Sequence, residues 1–153
     1  MTDIKNLDHE KFILRACDLA KEAVDNGNNP FGSLLVHNGE IIMEERNRVN
    51  TDGDFALHPE LTLARRATKE LDPKTVSETV MYTSTEPCAM CSTGISFAGL
   101  KAVVYSVSGS TAYEIRNQEA DGIPSEEVFE RYNCETRVIG PILPDEGKAV
   151  HRS

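Results

Sequence analysis

Four residues of types that bind metals or transfer protons stand in two short motifs. His58 and Glu60 are separated by one residue, and Cys88 and Cys91 form a Cys-x-x-Cys pair. One imidazole and two thiolates are ligands that zinc prefers, and three protein ligands leave the fourth tetrahedral position open to water. Zinc can lower the pKa of that water to about 7, which makes hydroxide available near neutral pH. The pattern therefore predicts a catalytic zinc ion.

The carboxylate of Glu60 is the candidate proton carrier. It lies two residues after the predicted imidazole ligand. From there it could accept the proton of a zinc-bound water, protonate a substrate ring nitrogen, and later protonate a departing amine. The alternative is that Glu60 only interacts with the positive end of a helix.

The cysteine pair has two other interpretations. It could be a thiol redox pair or half of a structural zinc site. A structural site would need a fourth ligand, and no remaining candidate has a spacing that favours it: His9, Cys17, His37, Cys134, His151. Cys17 lies in a helical apolar pattern and is predicted to be buried, whereas Cys134 is given no role.

The hydrophobic pattern predicts the elements that must position these residues. A helix is predicted from about Asp8 to Asn26, and a hairpin of strands Ser33–His37 and Glu40–Arg46 follows around Asn38-Gly39. Residues 47–54 are predicted to be a polar loop. The later predicted elements are helices from His58 to Asp72-Pro73, from Pro87 to Gly99 and over Ser125–Arg131, with strands Val80–Ser84, Ala102–Val107 and Arg137–Ile142.

Alternating strands and helices predict a single α/β domain over residues 1–153, built as a three-layer α/β/α sandwich. In this fold His58 and Cys88 each begin a helix, and Cys91 lies one turn after Cys88. The two sulfurs then project to one side, and helix N-termini stabilise the thiolate form that binds metal.

Composition bounds the substrate and the compartment. The net charge is -9 with a pI near 4.9, and no basic cluster is longer than Arg65-Arg66. Nucleic-acid binders usually carry a basic face, so a small neutral substrate is favoured over nucleic acid. No apolar run is long enough to span a bilayer, and the N-terminus is polar, which predicts a cytoplasmic protein without a membrane segment.

The segments His58-Pro59-Glu60 and Pro87-Cys88-Ala89-Met90-Cys91 resemble the paired motif of zinc nucleobase deaminases. The chain is similar, from the first helix to about Val107, to the cytidine and deoxycytidylate deaminase superfamily. Within it the chain most resembles the branch of guanine deaminases, fungal cytosine deaminases and tRNA adenosine deaminases. The resemblance implies a five-stranded mixed sheet, one zinc ion held by His58, Cys88 and Cys91, proton transfer by Glu60, and a homodimer.

Further matches imply substrate contacts. Asn29-Pro30-Phe31-Gly32 looks like a guanine deaminase segment, in which Phe31 and Gly32 would lie against a flat ring. Asn47 matches a base-binding asparagine of the branch, although it could also be a turn residue. Thr83, Ser84 and Glu86 match a substrate loop near the departing amine.

The chain also departs from the family's pattern. Pro59 replaces the usual alanine, which suits a helix start. Guanine deaminases read the purine with an acidic residue after the fourth strand. Here Glu119 matches best, with Glu114 and Asp121 as competitors and a purely solvated surface side chain as the alternative. The tail from Gly140 onward matches no guanine deaminase pattern and could cover the pocket or a partner.

The sequence therefore predicts a zinc-dependent hydrolytic deaminase of a free nucleobase or nucleoside, with guanine or a related aminopurine as the best single substrate. A cytosine-type pyrimidine deaminase is the second interpretation. A tRNA adenosine deaminase is the third, and it would need a basic surface around the pocket. The non-enzyme alternative is a zinc-stabilised binding module in which protein ligands fill the zinc coordination.

Overall fold

The computed structural model describes residues 4–119 and 122–152. A five-stranded sheet with the order β2-β1-β3-β4-β5 forms its centre. The strands are β1 (Gly32–His37), β2 (Glu40–Arg46), β3 (Val80–Thr85), β4 (Ala102–Val107) and β5 (Arg137–Ile139). Strand β1 is antiparallel to β2 and β3, whereas β3, β4 and β5 are parallel. This confirms the predicted mixed sheet.

Among the described residues, eight α-helices surround the sheet, after a 3-10 turn at Ile4–Asn6. They are α1 (His9–Asp25), α2 (Val49–Asp52), α3 (Pro59–Glu70), α4 (Pro73–Ser77), α5 (Ala89–Ala98), α6 (Gly109–Ile115), α7 (Ser125–Arg131) and α8 (Pro144–Val150).

The two faces of the sheet have separate apolar cores, because strand side chains alternate between them. Leu34 and Val36 point to one face, where they join a cluster with residues of α1 and with Val150 of α8. Leu35 points to the other face and joins residues of α3, α5 and α7. The three-layer α/β/α sandwich is thereby confirmed.

Several predicted boundaries differ from the structure. The expected loop at 47–54 contains α2, because the Asn28 side-chain oxygen accepts hydrogen bonds from the backbone N–H groups of Asn50 and Thr51. Helix α3 ends at Glu70, and Asp72 caps the unpredicted helix α4, since its carboxylate accepts from the Thr75 N–H. The last strand ends at Ile139, three residues earlier than predicted.

Two more helices, α6 and α8, occupy stretches where no element is predicted. Helix α6 begins after Ser108, whose hydroxyl accepts from the Thr111 N–H. Helix α8 lies in the tail that begins at Gly140, and it packs against β4 and α1. The tail therefore covers part of one face of the sheet.

The parallel strands β3 and β4 end side by side, with Thr85 opposite Val107. Helix α5 follows the first of these ends and helix α6 follows the second. Ligand sites of open α/β sheets lie at the carboxyl ends of such strands. Within the described ranges 4–119 and 122–152, none of the helices is long and apolar enough to cross a membrane.

Candidate zinc centre and active-site cavity

The three predicted zinc ligands meet at the starts of two neighbouring helices. His58 immediately precedes α3, Cys88 immediately precedes α5, and Cys91 lies in the first turn of α5. The Nδ1 atom of His58 is 3.7 Å from Sγ of Cys88 and 3.5 Å from Sγ of Cys91. Usual Zn–S and Zn–N lengths at a tetrahedral angle give an N···S separation of about 3.6 Å.

These distances show that the three side chains fit a single zinc ion. Their ligand atoms all lie within 4.8 Å of one another, and no further His, Cys, Asp or Glu joins the group in the part of the chain that the structure describes. A fourth protein ligand, which the structural-site interpretation requires, is therefore not found among those residues. The arrangement leaves one coordination position for a small molecule.

The electrostatics of the cysteine pair favour cation binding. The hydrogen bond from Cys91 lowers the pKa of the Cys88 thiol to about 4, and His58 adds to this effect. The pKa of Cys91 is raised because its proton is held in that hydrogen bond and because the side chain is buried. The hydrogen bond to Cys88 raises the pKa of His58. A bound divalent cation would displace the shared proton, since coordinating thiols are deprotonated.

Glu60 is buried beside the ligand set, with 3% of its surface exposed. Its Oε1 atom has no hydrogen-bond partner among the described residues. Burial raises the pKa of this carboxyl to about 7, and the nearby Cys88 thiolate contributes in the same direction. A carboxyl with a pKa near neutrality is suited to both accepting and donating a proton.

A cavity of about 420 Å³ adjoins the zinc ligands. Its volume is within the usual range for small-molecule sites. His58, Glu60 and Cys88 line one part of it, and α6 with residues 122–124 forms the opposite wall. Three predicted substrate residues, Phe31, Glu86 and Glu119, also line the cavity.

Gly32 is not among the residues that line the cavity, and its backbone lies close to helix α1. A Cβ atom at this position would lie 2.5 Å from the Ala16 carbonyl oxygen and the Ala20 nitrogen of α1. The close approach of Gly32 to a substrate ring stays a prediction, and the structure gives the residue a second role. The glycine is needed for packing between β1 and α1.

The hydroxyls of Thr83 and Ser84 are also absent from the cavity lining. Thr83 Oγ1 accepts from Ser33 and donates to the Thr85 carbonyl, and Ser84 Oγ accepts from the Gly32 N–H. Both side chains are buried inside the sheet. The structure uses these hydroxyls to hold β1 against β3.

The side chains of Asn47 and Glu86 both accept hydrogen bonds from backbone N–H groups. The buried Asn47 side chain accepts from the Val49 N–H, which is the turn role that the sequence also allows. The two oxygens of Glu86 accept from the N–H groups of Gly109 and Ser125. Glu86 thereby fixes the starts of α6 and α7 at the cavity wall.

Some cavity contacts are not indicated by the sequence, because they come from helices that it does not predict. Tyr113 and Arg116 of the α6 region line the cavity. At the end of α8, the His151 ring packs edge-on against Phe31, with ring centroids 5.3 Å apart. A serine N-cap at Ser108 is the local signal that could have revealed α6.

The remaining acidic candidates differ in position. Glu114 is exposed and does not line the cavity. Asp121 lies outside the described residues. Of the two candidates that the structure describes, Glu119 is the one that lines the cavity.

Comparisons with known proteins agree with this geometry. Residues 7–107 match the cytidine and deoxycytidylate deaminase zinc-binding region. The chain is 41% identical over 109 residues to the guanine deaminase of Bacillus subtilis (strain 168), covering 71% of this chain and 70% of that protein. It is 30% identical over 146 residues to a probable cytosine deaminase of Schizosaccharomyces pombe, covering 92% and 88%.

The solved structure of a guanine deaminase from Nitrosomonas europaea has the same fold. It superposes with a TM-score of 0.78 at 20% identity, over 95% of this chain and 84% of that one. The cofactor is zinc, for which His58, Cys88 and Cys91 form the candidate site. The chain belongs to the zinc-dependent cytidine and deoxycytidylate deaminase family, and it is a hydrolase that acts on a C–N bond of a nucleobase.

Proposed function

We propose that this protein deaminates guanine, or a closely related aminopurine, converting guanine and water into xanthine and ammonia. The observation that carries the choice of guanine is the 41% identity to a guanine deaminase over 71% of the chain. The cavity supports it, because an aromatic ring and a carboxylate, those of Phe31 and Glu119, both line it.

The chain's own residues supply binding and proton transfer. Zinc held by His58, Cys88 and Cys91 would make hydroxide available near neutral pH. Glu60 takes a proton from the attacking water and gives it to a ring nitrogen next to the carbon under attack. Glu60 then takes the second proton of the same water, from the newly added hydroxyl, and delivers it to the amine nitrogen as the C–N bond breaks, so ammonia leaves as a neutral molecule and the oxygen remains as a carbonyl. The unpartnered Oε1 atom is free for this role.

Substrate orientation is assigned to the other cavity residues. The ring of Phe31 lies against the purine, and the Glu119 carboxylate accepts from a purine N–H. The side-chain oxygen of Asn47 already accepts from the Val49 N–H, so Asn47 would bind the substrate through its remaining hydrogen-bonding groups. Gly32, Thr83 and Ser84 act behind the cavity wall, through the contacts between β1, β3 and α1.

A cytosine-type deaminase remains the second candidate. The likeness to the probable cytosine deaminase extends over 92% of this chain, further than the likeness to the guanine deaminase. Initial rates of ammonia release separate the two. The panel consists of guanine, guanosine, adenine, cytosine, isocytosine, pterins and aminotriazines. We expect the highest kcat/KM with guanine; a higher value with cytosine would reject guanine as the substrate.

The role of Glu60 is tested by Glu60→Gln. This variant should keep about one zinc per chain while kcat falls by about 10²- to 10⁴-fold. Glu70→Gln is the matched control, because Glu70 lies at the far end of the same helix on the surface. A Glu60→Gln protein that retains zinc and the parental rate would disprove the assigned proton transfer.

We also propose that the chain forms a homodimer through an apolar surface on α5 and α7. Phe97 is 74% exposed and Tyr132 is 49% exposed, and their rings pack against each other with centroids 5.5 Å apart. Contiguous exposed aromatic side chains are typical of interaction sites. Light scattering should give twice the chain mass for the parent and a smaller mass for Phe97→Asp. A monomeric parent would reject the dimer.

A further inference from the structure

One cationic side chain in the cavity wall has no role in the reaction as proposed. Arg116 lies at the C-terminal end of α6, and its guanidinium carbon is 5.5 Å from the centre of the Phe31 ring. Its Nη1 atom is buried without a hydrogen-bond partner, and no ion pair with it occurs within residues 4–119 and 122–152. A guanidinium nitrogen in that state lacks an acceptor.

A buried donor without an acceptor costs free energy. A ligand that supplies the missing acceptor would remove this cost. The guanidinium is planar and carries five N–H donors in a fixed fork, which matches two adjacent acceptors on one ligand edge. The cation–π contact with Phe31 restrains the guanidinium at the cavity wall.

The charges of the cavity identify the class of that ligand. Arg116 is the one Lys or Arg among the described residues that line it, whereas Glu60, Glu86 and Glu119 are carboxylates in the same lining. A phosphate dianion would meet more negative than positive charge there. A neutral ring with a carbonyl oxygen next to a ring nitrogen brings two acceptors without that repulsion. The O6 and N7 atoms of guanine are such a pair, and they bind arginine in two parallel hydrogen bonds.

We infer that Arg116 is a specificity-determining residue that donates hydrogen bonds to O6 and N7 of a 6-oxopurine bound against Phe31. This inference rests on the proposed function. Arg116 and Phe31 line the same cavity and lie next to each other, so a purine bound beside Phe31 would be within reach of the guanidinium. Glu119 would accept from a purine N–H at another edge. Bases with an amine at position 6 would be disfavoured, because an N–H group would face the guanidinium donors.

The test compares Arg116→Met with the parent on three substrates that all carry the 2-amine. Guanine has both acceptors, 2-aminopurine lacks O6, and 7-deaza-2-aminopurine lacks O6 and N7. The ratio of kcat/KM between variant and parent is taken for each substrate, which cancels differences in intrinsic reactivity. We expect the variant to lose about 10- to 100-fold on guanine, less on 2-aminopurine, and under about twofold when both acceptors are missing.

Two variants serve as controls. Arg116→Lys keeps the charge but not the fork, so its loss on guanine should be intermediate. Arg137→Met makes the same substitution at an exposed residue of β5 and should leave all three rates unchanged. Zinc content and thermal unfolding establish that each variant is folded. Guanine binding to Glu60→Gln and to the Glu60→Gln/Arg116→Met double variant, by equilibrium dialysis, should show the same loss in affinity.

The outcomes are distinguishable. Equal losses on all three substrates would show that Arg116 only supports Phe31, and would overturn the inference while leaving guanine deamination intact. A loss that is larger on guanosine monophosphate than on guanine would assign Arg116 to a phosphate, which also overturns it. A parent protein that is inactive on guanine and active on cytosine would reject the proposed function and the inference together.

Discussion

The Nε2 atom of His151 lies 2.8 Å from Oγ1 of Thr85, which joins the C-terminal end of α8 to the end of β3. Thr85 lines the active-site cavity, and the His151 ring also contacts Phe31 in the cavity wall. The family match ends at residue 107, so this contact comes from a part of the chain outside it. The tail therefore supports the cavity from behind, and changes in α8 should reach the active site.

The first prediction concerns pH. Burial and, to a smaller extent, the charge of Arg116 lower the pKa of His151 to about 4. In the unfolded chain the pKa of histidine is near 6.5. Between these values the unfolded chain binds a proton that the folded protein does not, so the free energy of unfolding falls as the pH drops from about 6.5 to 4. The slope from one such group is at most about 1.4 kcal/mol per pH unit.

Urea denaturation at several pH values between 7.5 and 4.5 measures this dependence. The groups that face the imidazole are Thr85, Phe31 and Arg116. The His151→Gln variant should show a smaller slope, because glutamine does not titrate. The control is His37→Gln at the end of β1. Identical slopes for His151→Gln and the parent would contradict the prediction.

A second prediction tests how tightly α8 is held. The Gly147 N–H donates to Ser106 Oγ at 3.1 Å, and a Cβ atom on Gly147 would lie 2.6 Å from that oxygen. Gly147→Ala should therefore lower the free energy of unfolding by about 1 to 3 kcal/mol, the usual effect of overpacking. Because α8 carries His151, the variant should also have a lower kcat/KM. Thermal unfolding and initial rates measure the two effects.

The control for this change is Gly122→Ala, compared on stability alone. A Cβ atom on Gly122 has no neighbour within 4 Å, so its melting temperature should match that of the parent. If Gly147→Ala were as stable as Gly122→Ala, the close contact between α8 and β4 would not exist in solution.

A third prediction separates the two interpretations of Gly32. Its missing side chain lies against backbone atoms of Ala16 and Ala20, which cannot move without shifting α1. We expect Gly32→Ala to lower stability by about 3 kcal/mol or more, at the upper end of overpacking effects. If the glycine instead served to admit a base, the variant would keep the parental melting temperature and show only a raised KM.

The metal ligands could be predicted from the sequence because their chemistry and spacing are local. His58, Cys88 and Cys91 are all placed by the starts of two helices whose signals lie within a few residues. Gly32 and Ser84 differ, because their roles depend on residues far away in the chain. Gly32 contacts helix α1, about fifteen residues earlier in the chain. The Ser84 hydroxyl accepts from the Gly32 N–H on the neighbouring strand.

The helices missing from the sequence prediction have a shared physical cause. Helices α2, α4, α6 and α8 span four to seven residues, and helices of this length gain their stability from tertiary contacts. Helix α2 is held by the side chain of Asn28, and α8 is held by Ser106. Arg116 and His151 could not be placed near the cavity without those helices.

The last prediction concerns metal content. Cys91 is fully buried, and its Sγ atom lies 3.5 Å from His58 Nδ1, so serine at this position would replace a zinc-binding thiolate by a hydroxyl that remains protonated. Cys91→Ser should lose most of the approximately one zinc per chain that we expect in the parent. Metal analysis by mass spectrometry measures the content, and ammonia release should fall in proportion to it.

Cys134→Ser is the matched control, because Cys134 lies outside the ligand group and its Sγ atom is 2.9 Å from Thr136 Oγ1. It should keep the parental zinc content. A chelator should lower the melting temperature of the parent and of Cys134→Ser but not that of Cys91→Ser, because a metal that binds only the folded state stabilises it. Equal zinc loss in the two serine variants would show that the metal is held elsewhere, and would remove Cys91 from the ligand set.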